Sequence, residues 1–249
     1  MNPRSSVARV LAVSEALRHD LSRRRAALAL SVALPMAFYL LSHQADGGYH
    51  LTAGGIGVSW AIAAAALFAA AGTKAIDQRL VLDGYRPAEL VAGRFALLVA
   101  FGVLVATATG ILMLIVSGPP RTGPLVVAML FVAVTSVPLG LAVGALLPHE
   151  LEATLLLIGV VGIQIALPSS SAVVGAMPLG SAQRLLDNAS SGTFATGPAV
   201  LRGVGWALVL SAVAVVACTR GVHPHHVARR LPTVLSGIVG GLLIVMSLT

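Results

Sequence analysis

Charge is the property that this sequence lacks most. Only 10% of its 249 residues are Asp, Glu, Lys or Arg, whereas soluble globular proteins carry about 25%. Aromatic residues make up 4% of the chain, and 57% of it is hydrophobic. The single cysteine, Cys218, excludes a disulfide within the chain. This composition argues against an ordinary soluble domain and is typical of an integral membrane protein.

Sequence motifs for catalysis and for nucleotide or metal binding are also missing. No G-x-x-x-x-G-K-[ST] phosphate loop, H-E-x-x-H motif or paired cysteine motif occurs. His223, His225 and His226 have no neighbouring carboxylate or cysteine, so a basic loop is favoured over a metal site there. Residues 169–171 are three serines without a His or Asp partner in the same segment, which argues against a hydrolase. We therefore expect no catalytic residue, cofactor or metal in this chain.

The sequence consists largely of long apolar runs without charged residues. A helix needs roughly 20 apolar residues to cross a hydrocarbon core of about 30 Å. The runs are continuously apolar, which favours helices over the alternating strands of a membrane barrel. The fold class predicted is therefore an all-α integral membrane protein, with a single transmembrane domain over residues 1–249. Its expected spans are residues 26–45, 51–73, 95–120, 122–148, 153–167, 203–219 and 231–249.

The last of these runs, residues 231–249, has two possible arrangements. It can cross the membrane as a seventh span, or it can fold back against the cytoplasmic side. Its GxxxG pair, Gly237 with Gly241, permits close helix packing, as does the second such pair in the chain, Gly140 with Gly144. The run also has no polar face with which to lie in the interface. We therefore expect it to cross.

The basic residues predict the orientation. Most of the 16 Lys and Arg residues lie before the first span, between the second and third, or after the sixth. Because cytoplasmic loops are enriched in Lys and Arg, these segments and the N-terminus are expected in the cytoplasm. This rule explains the net charge of +7 better than nucleic-acid binding does. Arg121, Arg184 and Arg202 are then external.

Two segments outside the spans have their own pattern. Residues 5–22 predict an amphipathic helix in the membrane interface, with Arg23, Arg24 and Arg25 at anionic headgroups. The alternative is a solvated basic tail. Residues 168–200 are too polar for a span and too apolar for an ordinary loop, which predicts a re-entrant segment followed by a surface helix near residues 181–188. The alternative is a long disordered external loop.

Residues 73–94 gather seven charged side chains between two uncharged runs. Asp83 and Gly84 predict a break, and Pro87 predicts the first turn of a second helix. A cytoplasmic helix–turn–helix with both signs of charge suits docking to a soluble partner, because charge pairs fix register and partner choice. The candidate docking residues are Asp77, Arg79, Asp83, Tyr85, Arg86, Glu89 and Arg94.

This segment resembles the coupling helix of type 2 ABC exporter membrane subunits, a family that includes drug-resistance and polysaccharide-export permeases. Asp77-Gln78-Arg79 stands where the family has a charged pair. Gly84 takes the turn, residues 85–87 the Arg-x-Pro-like element, and residues 92–94 the terminal Gly-Arg. The resemblance also covers the interfacial helix, the six-span core and the re-entrant segment before the sixth span. Two features depart from the family pattern: the charged pair is not adjacent, and residues 231–249 are additional.

The resemblance implies a permease subunit in the cell membrane of a bacterium, exporting a lipophilic or amphipathic substrate. Two permease chains, identical or homologous, would form the pathway within the lipid bilayer. Two separate ATPase chains, which bind the ATP and Mg²⁺, would dock on residues 73–94. Two other classes remain open: a membrane-embedded enzyme of lipid metabolism, and a non-transporting membrane anchor or regulator. Copurification of an ATPase chain with this one would distinguish the permease subunit from the other two classes.

Overall fold

The computed structural model describes residues 3–23, 25–44, 50–118, 121–147, 149–192 and 196–221. Within these ranges the chain forms helices and no strand, as the continuous apolar runs predict. The helices are α1 (Pro3–Arg23), α2 (Arg25–Gln44), α3 (His50–Gly72), α4 (Lys74–Leu82), α5 (Pro87–Ser117), α6 (Thr122–Leu146), α7 (Glu150–Ala166), α8 (Ala172–Gly175), α9 (Gly180–Ser191) and α10 (Thr196–Gly221).

Four helices in the described part of the chain are long and apolar enough to cross a membrane. They are α3, α5, α6 and the Thr196–Thr219 part of α10. The predicted spans at 26–45 and 153–167 correspond to shorter helices: α2 has an apolar part over Leu28–Gln44, and α7 has 17 residues. The predicted span at 231–249 lies outside the described residues, as does the GxxxG pair of Gly237 and Gly241.

Helix α5 is longer than the span predicted at 95–120. It begins at Pro87 and runs for 31 residues, about 46 Å at 1.5 Å per residue. The second helix of the charged segment and the apolar helix that follows are therefore one continuous rod. Because a hydrocarbon core is about 30 Å thick, roughly one third of α5 extends beyond the length that a membrane would cover.

Helices α3 and α6 form the centre of the bundle. About two thirds or more of the apolar stretch of each is buried (67% and 72%), against 33% for α5 and 28% for α10. Gly140 and Gly144 of α6 lie directly on the α3 backbone at Ala63 and Leu67, so the GxxxG pair expected to serve helix packing does so. At the same crossing the buried hydroxyl of Ser136 donates to Ser59 over 2.9 Å.

Helix α9 contains the residues for which a surface helix was predicted, but it does not lie on the surface. Ala182, Leu185, Leu186 and Ala189 are buried against the bundle. Arg184 donates to the carbonyl oxygens of Ser169 (3.1 Å) and Ser171 (3.3 Å), which holds the preceding segment in place. The polar composition suggested exposure, but the apolar spacing of three and four residues within α9 is the stronger signal.

The contact between α6 and α3 gives a direct test of this packing. In Gly140→Ala, the new methyl group would overlap the carbonyl of Ala63. Because that neighbour is backbone, we expect a loss of about 1–3 kcal/mol in the free energy of unfolding. Gly159→Ala on α7 is the matched control, since nothing lies within 4 Å of its added Cβ, and the better helix propensity of Ala should leave it neutral or more stable. Thermal unfolding of both purified variants measures the difference; equal melting temperatures would contradict the close crossing.

Candidate functional site

The charged segment folds as the helix–turn–helix that its sequence predicts. Helix α4 ends at Leu82, where the backbone N–H of Asp83 donates to the Arg79 carbonyl over 3.0 Å. Gly84 then adopts a positive φ of 90°, which favours glycine. Helix α5 begins with Pro87 after Arg86 in an extended conformation, and the Glu89 carboxylate accepts from the Arg86 N–H over 3.2 Å.

Asp77 and Arg94 form a buried ion pair that joins the two helices of this segment. One guanidinium nitrogen of Arg94 donates to both carboxylate oxygens of Asp77, at 2.7 and 2.9 Å. The two side chains are only 10% and 6% exposed. The family resemblance aligned Asp77 and Arg79 with a charged pair, but Arg79 points to solvent and Asp77 binds Arg94. Two of the seven candidate docking residues are therefore used inside the protein.

Glu89 is a third candidate that the fold uses internally. Its side chain is 7% exposed and lies 3.6 Å from a guanidinium nitrogen of Arg9 on α1. The same Arg9 nitrogen donates to the carbonyl of Gly84 over 3.2 Å, and its guanidinium lies 5.8 Å from the centre of the Tyr85 ring. One arginine of the N-terminal helix thus contacts the turn, the aromatic residue after it and the first turn of α5.

Helix α1 packs on α5 next to this turn. Ser14 donates to the carbonyl of Gly93 over 3.0 Å. Gly93 has no side chain to separate the helices, and an added Cβ there would lie 2.8 Å from the Val10 carbonyl oxygen. Val10 and Val13 are half-buried in this contact, while Leu11 is 63% exposed. Part of the apolar face predicted for the membrane interface therefore packs on α5.

The predicted interfacial arginines lie at the junction of the first two helices. Arg23 ends α1 and Arg25 begins α2, while Arg24 lies outside the described residues. The helix predicted over residues 5–22 is thus present as α1. Its location in a membrane interface stays a prediction.

A mixed apolar and charged face of α4 remains exposed. Residues 76, 79, 82 and 83 are spaced three and four apart and therefore share one side of the helix. Ile76 is 56% and Leu82 is 87% exposed. Arg79, which lies between them on α4, and Asp83, which directly follows Leu82, are also exposed. Arg86 in the following turn is exposed and Tyr85 is half-buried. We call this set, residues 76, 79, 82, 83 and 86, the α4 face.

Sequence reasoning missed the contribution of α1 to this site. Arg9 was one of six arginines near the N-terminus, and nothing in the local pattern distinguishes it from the others. The sequence did contain a signal for the exposed face of α4, because Ile76 and Leu82 fall on the same side of a helix as Arg79. Elsewhere in the described ranges, no group of three or more His, Cys, Asp or Glu side chains lies close enough together to hold a metal ion.

The buried pair predicts a large effect of removing one charge. Asp77→Asn leaves the Arg94 guanidinium buried without its counter-charge, which typically costs about 3–5 kcal/mol. We expect the free energy of unfolding to fall by that order, and Asp77→Leu combined with Arg94→Met to recover much of it. Asp83→Asn, on the exposed side, is the control and should change stability by less than about 0.5 kcal/mol. Similar denaturation midpoints for the two single variants would show that the pair adds nothing.

The contact at Gly93 predicts how α1 can be released. Gly93→Val places a branched side chain against Val10 and Val13, so we expect α1 to separate from α5. Trypsin should then cleave at Arg9 and Arg18 at least several-fold faster than in the unchanged protein. Ala92→Val is the matched control, because Ala92 is exposed beside it. Equal cleavage of the two variants would mean that α1 does not depend on this contact.

Comparison with known proteins identifies no relative from which a function could be transferred. The chain matches no protein-family model, and neither a curated protein nor a solved structure resembles it significantly.

Proposed function

We propose that this chain is the membrane-spanning permease subunit of an ATP-driven exporter and that a separate ATPase chain docks on the α4 face. The observation that carries the proposal is the α4 face itself. It presents exposed Ile76 and Leu82 together with Arg79 and Asp83 at the end of an otherwise apolar bundle. Protein interfaces combine apolar anchors with charged groups that select the partner.

The setting of the α4 face supports a mechanical role. Asp77 ties α4 to Arg94, and Arg94 belongs to the same continuous helix as the apolar part of α5. A force applied to α4 is therefore passed directly to a 31-residue rod that reaches to the other end of the bundle. Arg9 and Ser14 add a second connection from α1. An ATPase that closes on the α4 face would tilt α5 and α1 together.

The proposed assembly has two permease chains and two ATPase chains in a bacterial cell membrane. ATP and Mg²⁺ bind to the ATPase chains, and this chain supplies no catalytic residue. Lipophilic or amphipathic compounds are the proposed substrates, because the helix surfaces consist mainly of Ala, Val, Leu and Ile. Exposed apolar side chains on α5, α7 and α10 suit contact with lipid or with the second permease: Leu104, Ile111, Ile115, Leu151, Leu155, Leu201 and Leu208.

Copurification tests the proposal. When the tagged chain is purified from its native membranes, we expect an ATPase chain with a phosphate-binding loop to come with it. Arg79→Glu combined with Arg86→Glu should reduce the amount recovered at least tenfold, equivalent to about 1.4 kcal/mol of binding free energy. The two reversals place negative charge where the α4 face presents cations.

The control must have the same change in net charge. Arg18→Glu combined with Arg121→Glu meets this condition, since both arginines are exposed and neither lies on the α4 face. It should recover the ATPase normally. If the Arg79 and Arg86 variant recovers the ATPase and supports normal transport, docking on the α4 face is refuted. If the unchanged chain brings no ATPase, the exporter proposal itself fails.

A further inference from the structure

Two arginines lie close together towards the end of the bundle that is opposite the α4 face. Arg184 belongs to α9 and Arg202 to α10, and these two helices pack on each other. Both side chains are half-buried. Burial, and after it the positive charge of Arg202, lowers the pKa of Arg184, as expected where two like charges share one region of a protein.

No carboxylate neutralises these two cations within the described part of the chain. The guanidinium of Arg184 donates there only to two neutral acceptors, both of them backbone carbonyl oxygens. Asp187, one turn further along α9, accepts from Thr52 over 2.6 Å instead. Arg202 makes neither a hydrogen bond nor an ion pair with any described residue. Because arginines withdrawn from water are normally paired, these two lack a counter-charge.

The position of Arg202 along α10 matches the boundary between hydrocarbon and lipid headgroups. Arg202 is the seventh residue of this helix, and the next charged residue along it is Arg220. The 18 positions from 202 to 220 correspond to about 27 Å at 1.5 Å per residue. Since a hydrocarbon core is about 30 Å thick, the two arginines lie near its two surfaces. Phospholipid phosphates begin at that depth.

An exposed apolar stripe runs from Arg202 towards the middle of α10. Leu201, Val204 and Leu208 are 75%, 43% and 67% exposed. Their spacing of three and four residues places them on one side of the helix. A cationic pair at the end of an apolar stripe is complementary to a molecule with an anionic head and an apolar tail. A free anion would use the arginines and leave the stripe without a partner.

We propose that Arg184 and Arg202 bind the phosphate of an anionic phospholipid whose acyl chain lies along the stripe of residues 201, 204 and 208. Guanidinium groups form strong, charge-assisted hydrogen bonds with phosphate oxygens. The phosphate supplies the missing counter-charge and offsets the repulsion between the two arginines. A lipid with a net negative charge fits better than a zwitterionic one, because the cationic headgroup of the latter would be repelled. This inference goes beyond export and does not depend on an ATPase partner.

Thermal unfolding of the purified full chain in detergent tests the lipid site. Phosphatidylglycerol should raise the melting temperature of the unchanged chain by several degrees, because a ligand that binds only the folded protein stabilises it. Arg202→Gln should lose at least half of this shift. Without lipid, the variant should melt no lower than the unchanged chain, since Arg202 has no bonding partner in the described ranges and its charge opposes that of Arg184.

Arg121→Gln is the matched control, because it makes the same change in net charge at the same end of the bundle. Arg121 is exposed and lies against Gly192 at the end of α9. This control should keep the full shift with phosphatidylglycerol. Phosphatidylcholine and inorganic phosphate should each give less than half of that shift in the unchanged chain.

Four outcomes overturn the proposal. The first is that phosphatidylglycerol does not stabilise the unchanged chain. The second is an equal shift in Arg202→Gln and Arg121→Gln, which would mean that diffuse positive charge attracts the lipid. The third is an equal shift with phosphatidylcholine, which would show that the anionic headgroup is not recognised. The fourth is an equal shift with inorganic phosphate, which would assign the arginines to a free anion.

Discussion

Helices α3 and α6 approach so closely that Gly140 and Gly144 lie on the α3 backbone, and the other helices are arranged around this contact. Apolar solvent supplies little driving force between apolar helices, so membrane helices associate through close packing and interhelical hydrogen bonds. The contact uses both: two glycines allow the approach, and Ser136 binds Ser59 beside them. Helix α9 packs against α3 and α6 from one side, and α10 packs against α6.

The charged segment is attached to this bundle by a few strong polar contacts. Helix α4 has only nine residues, which is too short for a stable isolated helix in water. Its buried face is small, and the buried ion pair of Asp77 with Arg94, in which one guanidinium nitrogen contacts both carboxylate oxygens, connects it to α5. The charges that look available for docking in the sequence thus divide into two groups. Asp77, Glu89 and Arg94 lie inside the segment and hold it together, whereas Arg79, Asp83 and Arg86 are exposed.

Local rules predicted the elements of this segment well. Gly84 adopts the left-handed conformation and Pro87 occupies the first turn of α5, because each residue has a backbone preference that acts within a few positions. The helical content of the apolar runs followed from the same kind of argument. The role of Gly140 in packing also agreed with its sequence pattern. The sequence did not predict the partner of Asp77: Arg79 is nearer to it in sequence, yet Arg94 is its partner in the folded chain.

The sequence by itself determined that the chain is helical, where α4 ends and α5 begins, and that charge concentrates between two apolar helices. These properties depend on composition, periodicity and the conformational limits of Gly and Pro, which are local. Only the tertiary structure decided that Arg9 reaches Glu89 and Gly84, that Asp77 pairs with Arg94, and that α9 is buried. Each of these depends on which helix faces lie together, and contacts between residues 17 positions apart (Asp77 and Arg94) or 80 positions apart (Arg9 and Glu89) leave no mark on the local pattern.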